Sequence, residues 1–248
     1  MSLIPSIADN ANVVVIGASG GIGAALTEQL ANDSRVAVVH ALARADLEHT
    51  SPSVKNGHID ITDEQSIQAA AAGCAAPAGV DLVIVATGVL HRSGEVRPEK
   101  RMLELDARVM GEVFAINAIA PALIGKHFLP LMGRGRKTVF AVLSARVGSI
   151  SDNRLGGWLS YRASKAALNM LLKTLAIEQS RTRPDSLVVG LHPGTVDTDL
   201  SRPFQQNVPG DKLFTPAFAA GCLLRVIDGL SGPDNGGIFA WDGKSIDY

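Results

Sequence analysis

The sequence predicts one α/β domain, 1–248, with a doubly wound, mostly parallel sheet of about seven strands and helices on both faces. Three observations predict it. Short β-branched runs alternate with helix-length segments from one end of the chain to the other. A length of 248 residues suits a single domain of this kind. No linker rich in Pro, Gly or Ser and no internal repeat divides the chain.

The elements follow in order. Val13-Val14-Val15-Ile16 reads as a strand buried on both faces, ending at Gly17, and Ala24 to Ala31 reads as the helix after it. Val36 to Leu42 is a second strand, closed by Ala43-Arg44. His58-Ile59-Asp60-Ile61 is expected as a short third strand, and Thr62-Asp63-Glu64-Gln65 as a capped helix start. Asp81 to Ala86 is the fourth strand, stopping at Thr87-Gly88. A long helical stretch from Asp106 to Met132 is expected to bend near Pro121. Thr138 to Ser144, Leu187 to Leu191 and Gly237 to Trp241 complete the strands, with helices from Tyr161 to Arg181 and from Thr215 to Leu230 between them.

Composition excludes several classes. Hydrophobic residues are 46% and charged ones 19%, which supports a large core and argues against disorder. A net charge of −1 gives no field for nucleic acid or an anionic membrane, so neither is expected as a partner. Cys74 and Cys222 stand far apart and the histidines lack ligand spacing, so no metal is expected. No basic region with a long apolar run opens the chain, and no segment reads as the roughly 20 apolar residues of a membrane span. The expectation is a cytoplasmic protein.

In "VVVIGASGGIGAAL" the glycines Gly17, Gly21 and Gly23 lie between a strand and a helix. Gly17 allows a tight turn, while Gly21 and Gly23 let backbone and helix approach a pyrophosphate at the helix N-terminus. No Lys-Ser/Thr pair follows, so this is not a mononucleotide P-loop. The next strand end carries Ala43-Arg44 and no carboxylate, with Asp46 two residues on. A guanidinium there suits a 2′-phosphate, so NADP(H) is expected, and NAD(H) stays open because a solvated Arg44 is the alternative.

In "YRASK", Tyr161 and Lys165 are four apart on one helix face. With Asn117 in "FAINAIAP" and Ser144 in "VLSARVGSI" upstream, the chain resembles a short-chain dehydrogenase/reductase over nearly its whole length. "HPGTVDTDLS" and "FAWDGKSI" resemble most the C-factor-like, carbonyl-reductase-type members. The resemblance implies a Rossmann-type fold, a catalytic tetrad of Asn117, Ser144, Tyr161 and Lys165, and an NAD(P)-dependent exchange between a carbonyl and an alcohol. It also implies cofactor contacts from Gly17, Ser19, Gly21, Ile22 and Gly23, from Arg44, Asp60 and Ile61, and from Ala86, Thr87 and Gly88. Tyr161, Lys165, Pro193, Gly194, Val196 and Thr198 join them. Two departures stand out. The family often has Asn-Asn-Ala-Gly where this chain has Ala86-Thr87-Gly88-Val89, so an asparagine brace is expected to be missing there. Many relatives also have Thr-Gly where this chain has Ile16-Gly17.

The chemistry needs these residue types. An alkoxide formed by reduction must be protonated, and Tyr161 can donate. A free phenol titrates near pH 10, and a neighbouring Lys165 ammonium together with the positively charged oxidised nicotinamide is expected to lower that value. Ser144 is expected to donate to the substrate oxygen. The resemblance implies that the helix backbone at Asn117 holds a water linking Lys165 to solvent. Substrate contacts are expected from Arg146, Val147, Ile150, Asn153, Leu155, Trp158 and Phe204. A flap over 198–215 is expected to cover an apolar pocket for a small or medium ketone or aldehyde. The alternative is a nucleotide-binding signalling protein with little turnover. Pairing of the two long helices would give a homo-oligomer.

Overall fold

A computed structural model describes residues 2–206 and 208–248. The strands β1 (Ala11–Ile16), β2 (Val36–Ala43), β3 (Val54–His58), β4 (Leu82–Val85), β5 (Thr138–Leu143), β6 (Ser186–His192) and β9 (Ile238–Ala240) form one sheet. Its order is β3-β2-β1-β4-β5-β6-β9 and every pairing is parallel. Between β6 and β9 the short strands β7 (Thr195–Val196) and β8 (Leu213–Phe214) pair with each other. The chain winds outward from β1 in both directions, so the β1–β4 boundary is the switch point where such sheets bind ligands.

Side-chain alternation explains the layers. Val13 and Val15 of β1 point to one face, where they meet Leu26 and Leu30 of α1 (Gly21–Ala31) and Leu223 and Leu224 of α6 (Pro216–Gly229). Val14 and Ile16 point to the other. There Ile67 of α2 (Glu64–Cys74), Phe128 of α4 (Ala120–Phe128), and Leu168 and Leu172 of α5 (Leu159–Ser180) complete a second core. Burial on both faces is why these strands read as continuous apolar runs.

Two expectations change and one holds. The third strand is Val54–His58, so Ile59, Asp60 and Ile61 lie past its carboxyl end, in the loop where ligands reach the sheet. The long helix is interrupted near Pro121, as expected. A π-helical turn, Ala115–Ile119, separates α3 (Ala107–Phe114) from α4, with the Ala120 N–H reaching back to the Ala115 carbonyl. Pro121 follows directly in the first turn of α4, where the changed register of the π turn accommodates a residue without an N–H. The stretch 107–131 is also long and apolar enough, by length and composition, to cross a bilayer, contrary to expectation. Here Ala118, Ile124, Phe128 and Leu129 of that stretch pack into the second core.

Candidate active site

The glycine turn is fixed by contacts that admit no side chain. Gly17 has φ +89°, and a Cβ there would meet the Ala86 backbone at 3.0 Å. At Gly23 a Cβ would stand 2.1 Å from the Gly17 carbonyl oxygen, so α1 can pack this close to β1 only without one. Beside the turn lies a cavity of about 420 Å³, bordered by Gly17, Ser19, Arg44, Asp60 and Ile61 and by Ala86, Thr87 and Gly88 across the switch point. The Thr87 hydroxyl is buried there without a partner among the described residues. This cleft and its unpartnered hydroxyl fit a nucleotide with polar edges. Asp60 is occupied locally, accepting from the Thr62 hydroxyl (2.7 Å) and N–H (2.9 Å). Those bonds hold its carboxyl below the usual range, and the Arg44 guanidinium adds to them.

A second cavity of about 390 Å³ adjoins the turn on its other side. Ser144, Tyr161, Pro193, Gly194, Val196 and Thr198 border it, together with Ile22 from the start of α1. Leu200 borders both cavities. Trp158 and Phe204 form its aromatic wall, with centroids 5.0 Å apart, and Trp158 meets Tyr161 edge-on at 6.3 Å. Trp158 holds a left-handed conformation (φ +51°) after two glycines that do the same. For a non-glycine residue that costs about 1–3 kcal/mol. Glu99 secures it: the Glu99 carbonyl accepts from the Trp158 N–H, and the buried carboxylate accepts from the Ser160 N–H (3.2 Å) and hydroxyl.

The expected tetrad is brought together, though its bonds differ from expectation. Lys165 is buried, and its Nζ donates to the Leu143 carbonyl at 2.8 Å while standing 5.9 Å from the Tyr161 ring centre. Burial lowers the lysine to about 8 and raises the tyrosine to about 12. Burial alone sets the direction for Tyr161, and Lys165, its Nζ committed to the Leu143 carbonyl, adds no lowering of its own. Ser144 donates to Asn169 Oδ1 at 2.6 Å rather than into the cavity. Asn169 lies four residues beyond Lys165 on the same face of α5, and sequence reading missed it. The signal was the i, i+4, i+8 spacing of Tyr161, Lys165 and Asn169 in "YRASKAALN".

Asn117 sits in the π turn, and its side chain clamps Val89, accepting from the N–H and donating to the carbonyl, both at 2.8 Å. It also donates to Ser164 Oγ at 3.2 Å. The brace expected to be missing after β4 is thus supplied from α3–α4, which links that loop to α5. Gly88 has no side chain to separate the two: a Cβ there would lie 3.4 Å from Asn117 Oδ1 and 3.7 Å from Lys165 Nζ.

The expected substrate residues divide. Arg146, Val147, Trp158 and Phe204 border the second cavity, whereas Ile150, Asn153 and Leu155 do not. Ile150 and Leu155 are 77% and 91% exposed because the loop after Ser149 swings to the surface before the glycines turn it back. Leu90 and His192 border the cavity and were not anticipated. The expected flap includes Asn207, which lies outside the described residues. Around it, Leu200, Ser201, Phe204 and Val208 face the cavity, and the Asp199 carbonyl bonds the His91 ring at 2.9 Å.

The family model for short chain dehydrogenases matches residues 11–209. The chain belongs to the short-chain dehydrogenase family. As such it is an NAD(P)-dependent oxidoreductase, and its glycine turn borders the first cavity just described and Tyr161 the second. It is 33% identical to a 1-hydroxy-2-glutathionyl-2-methyl-3-butene dehydrogenase of Rhodococcus sp. (strain AD45), over 92% of this chain and 94% of that one. It is 35% identical to the C-signal protein of Myxococcus xanthus over 58% of this chain and 82% of the other. This short-chain dehydrogenase also resembles the structure of an NADPH-bound carbonyl reductase from chicken fatty liver. There the TM-score is 0.83 and the identity 28%, with 98% of this chain and 100% of the other covered.

Proposed function

We propose that the protein reduces a carbonyl on a small or medium, largely apolar molecule, with NADPH as the reductant. The observation that carries this reading is the placement of Tyr161 and Ser144 on one apolar cavity that abuts the glycine turn. Gly17, Ser19 and the start of α1 would hold the pyrophosphate, and Thr87 and Gly88 the adjoining sugar. Arg44, with no carboxylate at the end of β2, would meet a 2′-phosphate. The NADPH in the chicken carbonyl reductase structure supports that choice. When bound, the nicotinamide supplies the hydride.

The remaining steps belong to this chain. Tyr161 is protonated at neutral pH and donates its phenolic proton to the oxygen that gains charge. Lys165, between Leu143 and Gly88, supplies the positive charge that favours the resulting phenolate. Rotation of the Asn169 amide by half a turn would place its NH2 on Ser144 and release the serine proton toward the substrate oxygen. Trp158, Leu200, Phe204 and Val208 border the cavity and would limit water beside the bound substrate. Exposed Ile119, Met170 and Ile177, in the π turn and α5, support self-association through those helices.

Fluorescence titration with NADPH and NADH, followed by a panel of aldehydes and ketones, tests the reading. Tyr161→Phe should lower kcat by about 10²–10⁴-fold with NADPH affinity kept. Unchanged turnover in that variant overturns the acid assignment. Tight nucleotide binding with no turnover across the panel would favour a signalling role.

A further inference from the structure

His192 ends β6 immediately before the Pro193–Gly194 turn. Leu191 pairs with Leu143, and the Ser144 N–H bonds the Leu191 carbonyl at 2.7 Å. Ser144 and His192 therefore stand side by side at the carboxyl ends of adjacent strands, about 4.8 Å apart along the sheet. Both border the same cavity as Tyr161. His192 Nδ1 is buried without a hydrogen-bond partner among the described residues, and His192 borders the cavity.

We propose that His192 binds a second oxygen of the substrate, making the preferred substrate a carbonyl with a hydroxyl or carbonyl on the neighbouring carbon. This rests on the reading above, in which Ser144 and Tyr161 bracket the reacting carbonyl oxygen. A donor or acceptor one strand over from Ser144 then falls beside the next carbon. Burial, with help from the Arg146 guanidinium, pushes the imidazole down to about 4, so the ring is uncharged at neutral pH; Asp242 opposes this more weakly. An uncharged ring suits a neutral oxygen better than a carboxylate. Arg146 stands at the rim, half exposed and 3.7 Å from Asp152, and does not take that place. An oxygen at His192 also gives the ring a hydrogen-bond partner within a largely apolar cavity, and a substrate lacking it leaves a polar group facing carbon.

The test measures kcat/KM with NADPH for 1-phenyl-1,2-propanedione, 2-hydroxypropiophenone and propiophenone, in wild type, His192→Phe and His192→Gln. Because a dione is intrinsically the more reactive, the readout is the oxygenated-to-plain ratio in each variant divided by that ratio in wild type. The ratio should fall about 10-fold or more in His192→Phe and less in His192→Gln, in line with loss of one hydrogen bond. Thermal melts and NADPH titration confirm that each variant is folded, and His192→Gln carries the test if the phenylalanine disturbs the strand end. An unchanged ratio in both variants, with the ketones still reduced, overturns the role of His192 alone. Failure of wild type to reduce any of the three while it reduces other carbonyls of the panel overturns this proposal alone, and no turnover across the whole panel overturns the carbonyl-reduction reading and this proposal with it.

Discussion

The two cavities are built differently. The one beside Gly17 is framed by backbone at strand ends, with glycines where chain segments touch. The one beside Tyr161 is framed by side chains from loops, including a strained Trp158 and a segment anchored by His91. Backbone-built sites are specified by a few small residues at fixed spacing. A wall of side chains depends on which loops fold over it, and that leaves its ligand open.

The difference can be broken most strongly at Gly23. Gly23→Ala should cost about 3 kcal/mol or more and abolish nucleotide binding, because the clash is with backbone that cannot yield. Thermal melts and NADPH titration check this; an intact melt and affinity would show that the turn is not close-packed. On the side-chain cavity, Asn169→Leu should lower kcat about 10–100-fold with little change in NADPH affinity, since it removes the group that orients Ser144. If steady-state kinetics show KM rising while kcat stays, Asn169 shapes the cavity instead. Arg44→Ala should weaken NADPH about 10-fold and leave NADH nearly unaffected. Equal effects on the two would remove the 2′-phosphate assignment.

The smallest effect concerns stability and pH. Lys165 titrates at about 8 in the folded chain, below its ordinary value of 10.5, so the unfolded chain holds more protons between those values. Folding stability from this group therefore rises with pH across that window, and below pH 8 its full charging cost is present. Lys165→Met should be about 1–2 kcal/mol more stable than wild type at pH 7, after allowing for the lost bond to Leu143. That advantage should shrink as pH approaches 10.5. Denaturant titration at several pH values checks it, and a constant difference would contradict the buried ammonium.

Much of this was legible in the sequence. The strand at Val13–Ile16, the glycine spacing and the Tyr161–Lys165 pair each depend on local geometry, and each lies where its pattern places it. The end of the third strand was misread because Ile59 and Ile61 continue an apolar alternation after Ala43, the last residue of β2, has ended the pairing at His58. The loop residues Ile150 and Leu155 were misread as pocket because apolar character alone does not tell a cavity wall from a surface. The clamp of Asn117 on Val89 joins residues 28 apart in sequence, a distance at which no local pattern operates.

The sequence by itself determined the fold, the family and the placing of Tyr161 and Lys165 on one face of a helix, because periodicity, glycine spacing and helix-face geometry act over a few residues. Only the tertiary structure decided that Ser144 faces Asn169, that burial raises Tyr161 and lowers Lys165, and that His192 borders the second cavity. Hydrogen-bond direction and desolvation depend on what surrounds a group in space, and those neighbours come from strands and helices far apart in the chain.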